Sequence, residues 1–129
     1  MERKSIFTNK APSAIGPYSQ GIAAGPWLFV SGQLGLNPET GALVGDDLAS
    51  QAHQALKNLT AVVQAGGCTL ADVTAVEVFL TDMGTFAEFN GIYATYFDAH
   101  KPARAAVGVA ALPKGAVVEI KCTALRSTP

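Results

Sequence analysis

Arg104 and Glu119 are the residues of this chain whose types and settings best suit chemistry. Pro102-Ala103-Arg104-Ala105-Ala106-Val107-Gly108-Val109 alternates as a strand, with Arg104, Ala106 and Gly108 on one face. A guanidinium therefore has a methyl and a hydrogen as its next neighbours along that face. Such a row leaves room beside the guanidinium for a group that is not protein. Val117-Val118-Glu119-Ile120-Lys121-Cys122-Thr123 reads as a second strand, with an acid inside an apolar run. Charges embedded in apolar strands must pair, meet a ligand, or be costly. A partly buried Arg104–Glu119 ion pair is the plainer outcome and a ligand site the other; residue types leave both open.

Other polar residues stand where a site would draw on them. Asn9-Lys10-Ala11-Pro12-Ser13-Ala14-Ile15-Gly16-Pro17 is a loop of turn residues whose two prolines fix φ. Tyr18 follows it, either as a packing cap or as a binding group. Ser31-Gly32 interrupts the apolar strand Trp27-Leu28-Phe29-Val30. A glycine there marks either a plain bulge or a close approach to the backbone. Asn90 lies beside a helical stripe of Phe86, Phe89, Tyr93 and Phe97, where it reaches a pocket edge or caps a buried group. That aromatic stripe reads as core. His53 and His100 form no metal cluster and read as structurally ordinary. Cys68 and Cys122 lack C-x-x-C or zinc-like spacing. Cys122 alternates with Ile120 and Ala124 as a small core residue, whereas Cys68, just after a helix stop, is expected to be exposed.

The elements that must position these groups follow in order. Ser5 to Thr8, Gln20 to Ala23 and Trp27 to Leu34 read as strands. Asp46 or Asp47 caps a helix with Leu48, Ala52, Ala55, Leu56, Leu59, Val62 and Val63 at helical spacing, stopped by Gly66-Gly67. Thr69 and Asp72 have the capping-box pattern. Val73 to Thr81 is a strand. A second helix is expected from Met83 to Ala99, ended by Pro102, before the Arg104 and Glu119 strands. Arg126 to Pro129 reads as a tail. Three strands, a helix, a strand, a helix and two strands make an α+β domain with a mixed sheet and its helices on one face. Trp27 and Phe29 oppose Leu28 and Val30, so the third strand is apolar on both sides, and a homo-oligomer is expected to cover the second sheet face.

The totals narrow the classes. The chain has 129 residues, 49% hydrophobic and 15% charged, consistent with one domain over residues 1–129 and a real core. Its net charge is −1, and the nine Lys and Arg residues are scattered without a basic stripe, so nucleic acid is not an expected partner. No apolar run reaches the roughly 18 to 20 residues of a membrane span. The charged Met1-Glu2-Arg3-Lys4 is not followed by a hydrophobic signal segment, and a cytoplasmic setting is the expectation, with an organelle address left open.

Several motifs in order carry a resemblance. Ile15-Gly16-Pro17-Tyr18-Ser19-Gln20, Val30-Ser31-Gly32-Gln33, Pro102-Ala103-Arg104-Ala105-Ala106-Val107, and Ala111-Leu112-Pro113-Lys114-Gly115 with Val118-Glu119-Ile120 together resemble the RidA (YjgF) family over nearly the whole chain. The resemblance implies a chorismate-mutase-like fold, a six-stranded sheet packed on two helices. It implies a homotrimer whose sheets face inward as a barrel, with a cleft at each subunit interface. The implied activity is cofactor-independent and metal-independent deamination of reactive enamines and imines, such as 2-aminoacrylate and 2-iminobutanoate, released by pyridoxal-phosphate enzymes. The products are ammonia and a 2-keto acid. Arg104 matches the carboxylate-binding arginine and Glu119 the acid that activates water. Tyr18 matches a tyrosine entering the cleft from the neighbouring subunit; Ser31, Gly32 and Asn90 match cleft residues. Ala106 stands where several relatives have Cys, which implies a backbone role and argues against a nucleophilic thiol there. Two other readings remain: a trimer that binds small carboxylates without turnover, and a ribonuclease or translation inhibitor, which this composition supports little.

Overall fold

The computed structural model describes residues 2–127. Thr128 and Pro129, the end of the expected tail, and Met1 lie outside the described residues. Six strands form one sheet: β1 (Arg3–Ile6), β2 (Gly21–Ala24), β3 (Trp27–Leu34), β4 (Val73–Leu80), β5 (Ala103–Gly108) and β6 (Val118–Leu125). Their spatial order is β1-β2-β3-β6-β4-β5. All neighbours run antiparallel except β4 and β5. Helix α1 (Leu48–Ala65) joins β3 to β4, and α2 (Phe86–Tyr93) makes the crossover between the parallel pair. This is the mixed sheet with two helices expected from the pattern of elements.

Strand alternation sorts the side chains. Val118, Ile120, Cys122 and Ala124 of β6 and Val76, Val78 and Leu80 of β4 point to the helix side, all at most 2% exposed. They meet Leu56, Leu59, Val62 and Val63 of α1 and Phe89 of α2 in one core cluster. Burying each such aliphatic side chain contributes about 1.5–3 kcal/mol. The opposite face carries Trp27, Phe29, Val107 and Leu125, each 39–48% exposed. No helix among the described residues covers it, as the two-sided apolar pattern of β3 led us to expect.

The helix ends follow local chemistry. The Asp47 carboxylate accepts from Ser50 N at 2.9 Å to cap α1, a bond that also holds its pKa below the ordinary value. Thr69 and Asp72 form the expected capping box around a single 3₁₀ turn. Two expectations are corrected. The second helix is shorter than Met83–Ala99. Asp82 caps a separate 3₁₀ turn over Met83–Thr85, and past Tyr93 the Thr95 and Tyr96 amides bond only three residues back, with the Thr95 hydroxyl also on Ile92 O. Cys68 is buried, not exposed. Gly67 at φ 84° turns the chain back, Cys68 N donates to Val63 O, and the thiol joins the core. Cys122 is core as expected, and burial pushes its thiol up to about 12.

Buried amides fasten α1 to the end of β3. Asn58, fully buried, donates to Leu34 O at 3.0 Å and Leu36 O at 2.9 Å. Gln51 bridges Gly45 O and Val117 N. Replacing Asn58 by Ala strips both carbonyls of their donor, and we expect a loss of about 2–3 kcal/mol, read as a lower urea midpoint at unchanged slope. A midpoint equal to wild type would contradict this role.

Candidate active site

The two charges do not pair. In the parallel ladder Arg104 lies opposite Val76 and Ala106 opposite Val78, so the Arg104 side chain projects to the helix side of the sheet. Glu119 lies opposite Leu34 and Phe79, one step from buried Val118 and Ile120, and projects to the open side. Strand β4 also separates β5 from β6. The ion-pair reading is therefore overturned within one chain, because strand alternation puts the two groups on opposite faces.

On the open side, Tyr18, Ser31, Gly32 and Glu119 share one concavity of about 910 Å³, with Ile15 and Lys121 also in its wall. Each member has a local cause. Register slips between Val30, opposite Cys122, and Gln33, opposite Ile120, so Ser31-Gly32 is a β-bulge. The slip flips the phase of β3 and buries Gln33, where unbroken alternation would have exposed it. It is also a close approach, so both readings of this dipeptide hold. A Cβ at Gly32 would lie 2.8 Å from Glu119 Cδ and nearer still to Oε2, so the carboxylate sits directly over the glycine. Ser31 Oγ donates to Ser19 O at 2.6 Å and Ser31 N to Gln20 O at 2.9 Å, tying the bulge to the loop that presents Tyr18. Tyr18 is 56% exposed in the wall of this concavity, so it does not cap the core of its own chain.

Glu119 is half-buried and has no ion-pair partner among the described residues. Burial raises its pKa above the ordinary carboxylate value, while Lys121 pulls it back down. Lys121 is itself 3.5 Å from Glu77 on the same face.

On the helix side, Arg104 Nη1 donates to Asn90 Oδ1 at 2.9 Å. Asn90 thus caps the guanidinium. No carboxylate lies at ion-pair distance from Arg104 among the described residues, so its fork keeps donors for an anion. Ala106 packs against the core beside it, and further along the same face Met83 Cγ lies 3.0 Å from where a Gly108 Cβ would be, while Arg104 itself stays exposed. The small residues admit the segment entering α2, which correct spacing of the strand could not foretell.

The structure thus groups Tyr18, Ser31, Gly32 and Glu119 together, groups Arg104 with Asn90, and sets Ala106 one step along from Arg104 on the same face of β5, half-buried against the core. Sequence reasoning missed two contributors. Gln20, 3% exposed, donates to Thr8 O and Pro12 O and accepts from Thr8 N, anchoring the loop behind Tyr18. Its signal was a polar residue at the start of a strand. Lys114, in the concavity wall, holds a left-handed φ of 60° and donates to Gly41 O; only its neighbour Gly115 hinted at that turn.

A model of the family described as Endoribonuclease L-PSP matches residues 8–126. The chain belongs to this family, the RidA/YjgF family. A member from mouse named 2-iminobutanoate/2-iminopropanoate deaminase is 48% identical over 96% of this chain and 92% of its own. The crystal structure of YyfA, of the conserved Rid protein family of Yersinia pestis, superposes with a TM-score of 0.94 at 45% identity, covering 96% of this chain and 99% of that one. The structure of E. coli TdcF with bound serine gives a TM-score of 0.91 at 42% identity, with coverage of 96% and 99%. The RidA resemblance read from the motifs is confirmed, and with it the fold. Among the described residues no helix is long and apolar enough to cross a membrane.

The charges around Glu119 give a measurable consequence. Because its folded pKa lies above the ordinary 4.5, Glu119 favours the folded state at low pH, and that contribution is lost as pH rises through the interval between the two values. Lys121→Met removes the cation that lowers it, so the Glu119 pKa is expected to rise further, read by carbon NMR of its carboxyl. A pKa that falls or stays put in this variant would contradict the assignment.

Proposed function

We propose that this RidA-family chain deaminates small 2-imino acids and their enamine tautomers, 2-aminoacrylate and 2-iminobutanoate among them, as a homotrimer whose clefts draw residues from two subunits. The observation that carries the reading is the Glu119 carboxylate: half-buried, unpaired, of raised proton affinity, and set in a concavity with Tyr18 and Ser31. The mouse relative's name and the serine bound to TdcF, a small amino-acid carboxylate, support it.

Arg104 takes the substrate carboxylate on its planar fork by two parallel N–H bonds. Each such bond contributes about 1.5–3 kcal/mol. The imine carbon is already electrophilic, more so when its nitrogen is protonated, so orientation supplies much of the rate. Glu119 accepts a proton from water as the water oxygen bonds to that carbon and the C=N electron pair moves to nitrogen. From the protonated imine, Glu119 returns that proton to nitrogen and then takes the hydroxyl proton as the hydroxyl closes to a carbonyl and the C–N bond breaks, so ammonia and a 2-keto acid leave. A carboxyl with elevated pKa removes the water proton more readily than an ordinary one. Since Arg104 and Glu119 of one chain face opposite ways, the cleft joins the Arg104 edge of one subunit to the Glu119 concavity of the next. The exposed Trp27, Phe29, Val107 and Leu125 face supplies apolar surface for that assembly.

The assay couples a pyridoxal-phosphate threonine dehydratase, which releases the imine, to a semicarbazide trap. Wild type is expected to suppress the semicarbazone, and Arg104→Ala or Glu119→Ala to cut that suppression by about 10²-fold or more at unchanged trimer mass. Wild-type turnover in either folded variant would refute the roles. No suppression by a folded wild-type trimer would favour the carboxylate-binding module instead.

A further inference from the structure

The Arg104 guanidinium is held between two aromatic rings that the proposed chemistry does not use. Its carbon lies 4.7 Å from the Tyr93 ring centroid and 5.4 Å from that of Phe86. Both distances fall within the reach of cation–π attraction. Phe86, Asn90 and Tyr93 stand at i, i+4 and i+7 on α2, so one helix face presents ring, amide and ring together. Asn90 holds one terminal nitrogen. The support is graded in burial: Tyr93 is 8% exposed, and Phe86 is only half-buried, at the mouth of the arrangement.

A free arginine side chain has four flexible bonds and many directions for its fork. On an edge strand, with no carboxylate to fix it, that freedom would have to be lost whenever an anion bound. Two ring faces and one amide remove it beforehand. The Tyr93 hydroxyl is buried without a hydrogen-bond partner. What Tyr93 brings here is its ring, which meets Arg104 on one side and packs against Phe89 and Phe97 in the core.

We propose that Phe86 and Tyr93 are positioning residues for Arg104, an aromatic clamp that presents the outer edge of the guanidinium to a planar, two-oxygen carboxylate. The clamp rests on the reading of Arg104 as a carboxylate anchor. It acts through the anchor and not on the reacting atoms, so it strengthens ground-state and transition-state binding alike. A rigid fork suits a carboxylate, whose two oxygens can each take one of its parallel donors. Lysine at position 104 would keep a cation–π attraction to the rings but has no planar fork for them to orient.

The test uses 2-oxobutanoate, a product of the proposed reaction, titrated calorimetrically into the assembled protein. Phe86→Leu, at a half-buried position, is expected to weaken binding by about tenfold. Phe86→Tyr, which restores a ring, is expected to recover most of that loss. In turnover the leucine variant raises KM with kcat held within about twofold. In an Arg104→Ala background the same Phe86→Leu change is expected to have no effect on the residual affinity, since the clamp has nothing left to hold. Equal affinity of wild type and Phe86→Leu would overturn the clamp, as would an undiminished Phe86→Leu effect without Arg104. Failure of wild type itself to bind 2-oxobutanoate would overturn the carboxylate anchor, and is distinguished by appearing before any substitution is made.

Discussion

The period-two alternation of side chains along a strand is the constraint on which the rest of this structure depends. It sends Val118, Ile120 and Cys122 into the core and Glu119 out of it, and sends Arg104 to the helix side of β5. The chain therefore builds two half-sites back to back, a guanidinium under α2 and a carboxylate on the bare face. The two halves differ in chemistry: one offers guanidinium donors, the other a half-buried carboxylate with Lys114 and Lys121 in the same wall. The bare face that presents Glu119 also carries Trp27, Phe29, Val107 and Leu125, an exposed apolar surface of the kind that interfaces cover.

The two half-sites are built by different means. The Arg104 side is rigid because helix spacing stacks Phe86, Asn90 and Tyr93 against one group. The Glu119 side is shaped by an irregularity. The bulge at Ser31-Gly32 breaks the β3 ladder, opens space over a glycine hydrogen, and lets the carboxylate settle against the backbone. Buried amides hold that irregularity in place, Gln20 on the loop side and Asn58 on the helix side. Partial burial then raises the Glu119 pKa, with Lys121 restraining the rise. Fold and electrostatics are linked there: the distortion that would weaken an ordinary strand is what makes room for a half-buried carboxylate.

Much of this was legible in the residues. Apolar periodicity gave α1 and the strands β3 to β6, because core packing imposes those periods directly; the opening strand lies at Arg3–Ile6 and not at Ser5 to Thr8, with Ile6 its one buried residue. The two-sided apolar pattern of Trp27 to Val30 gave the uncovered face, and ordered motifs gave the family. What failed were statements about depth and direction. Cys68 looked exposed because it follows a helix stop, yet a left-handed Gly67 folds it inward. The second helix ended early at Tyr93 because three-residue hydrogen bonds replace four-residue ones, a balance of backbone and hydroxyl donors that apolar spacing does not register. The small row beside Arg104 leaves its guanidinium exposed, with Met83 reaching only the Gly108 end of the row. Alternation within each strand was read correctly; the relative facing of two strands that share no sequence neighbourhood required their register to β4.

The most direct measurement is complementation between inactive subunits. Arg104→Ala and Glu119→Ala chains, each inert alone, are unfolded together in equal amounts, refolded, and assayed for imine removal. In mixed assemblies some clefts pair an intact Arg104 with an intact Glu119 from different chains, and the account predicts recovery of about a quarter of wild-type activity per site with random assembly around a ring. Activity no greater than that of the separately refolded variants, from mixed trimers verified by mass, would contradict a site shared between subunits.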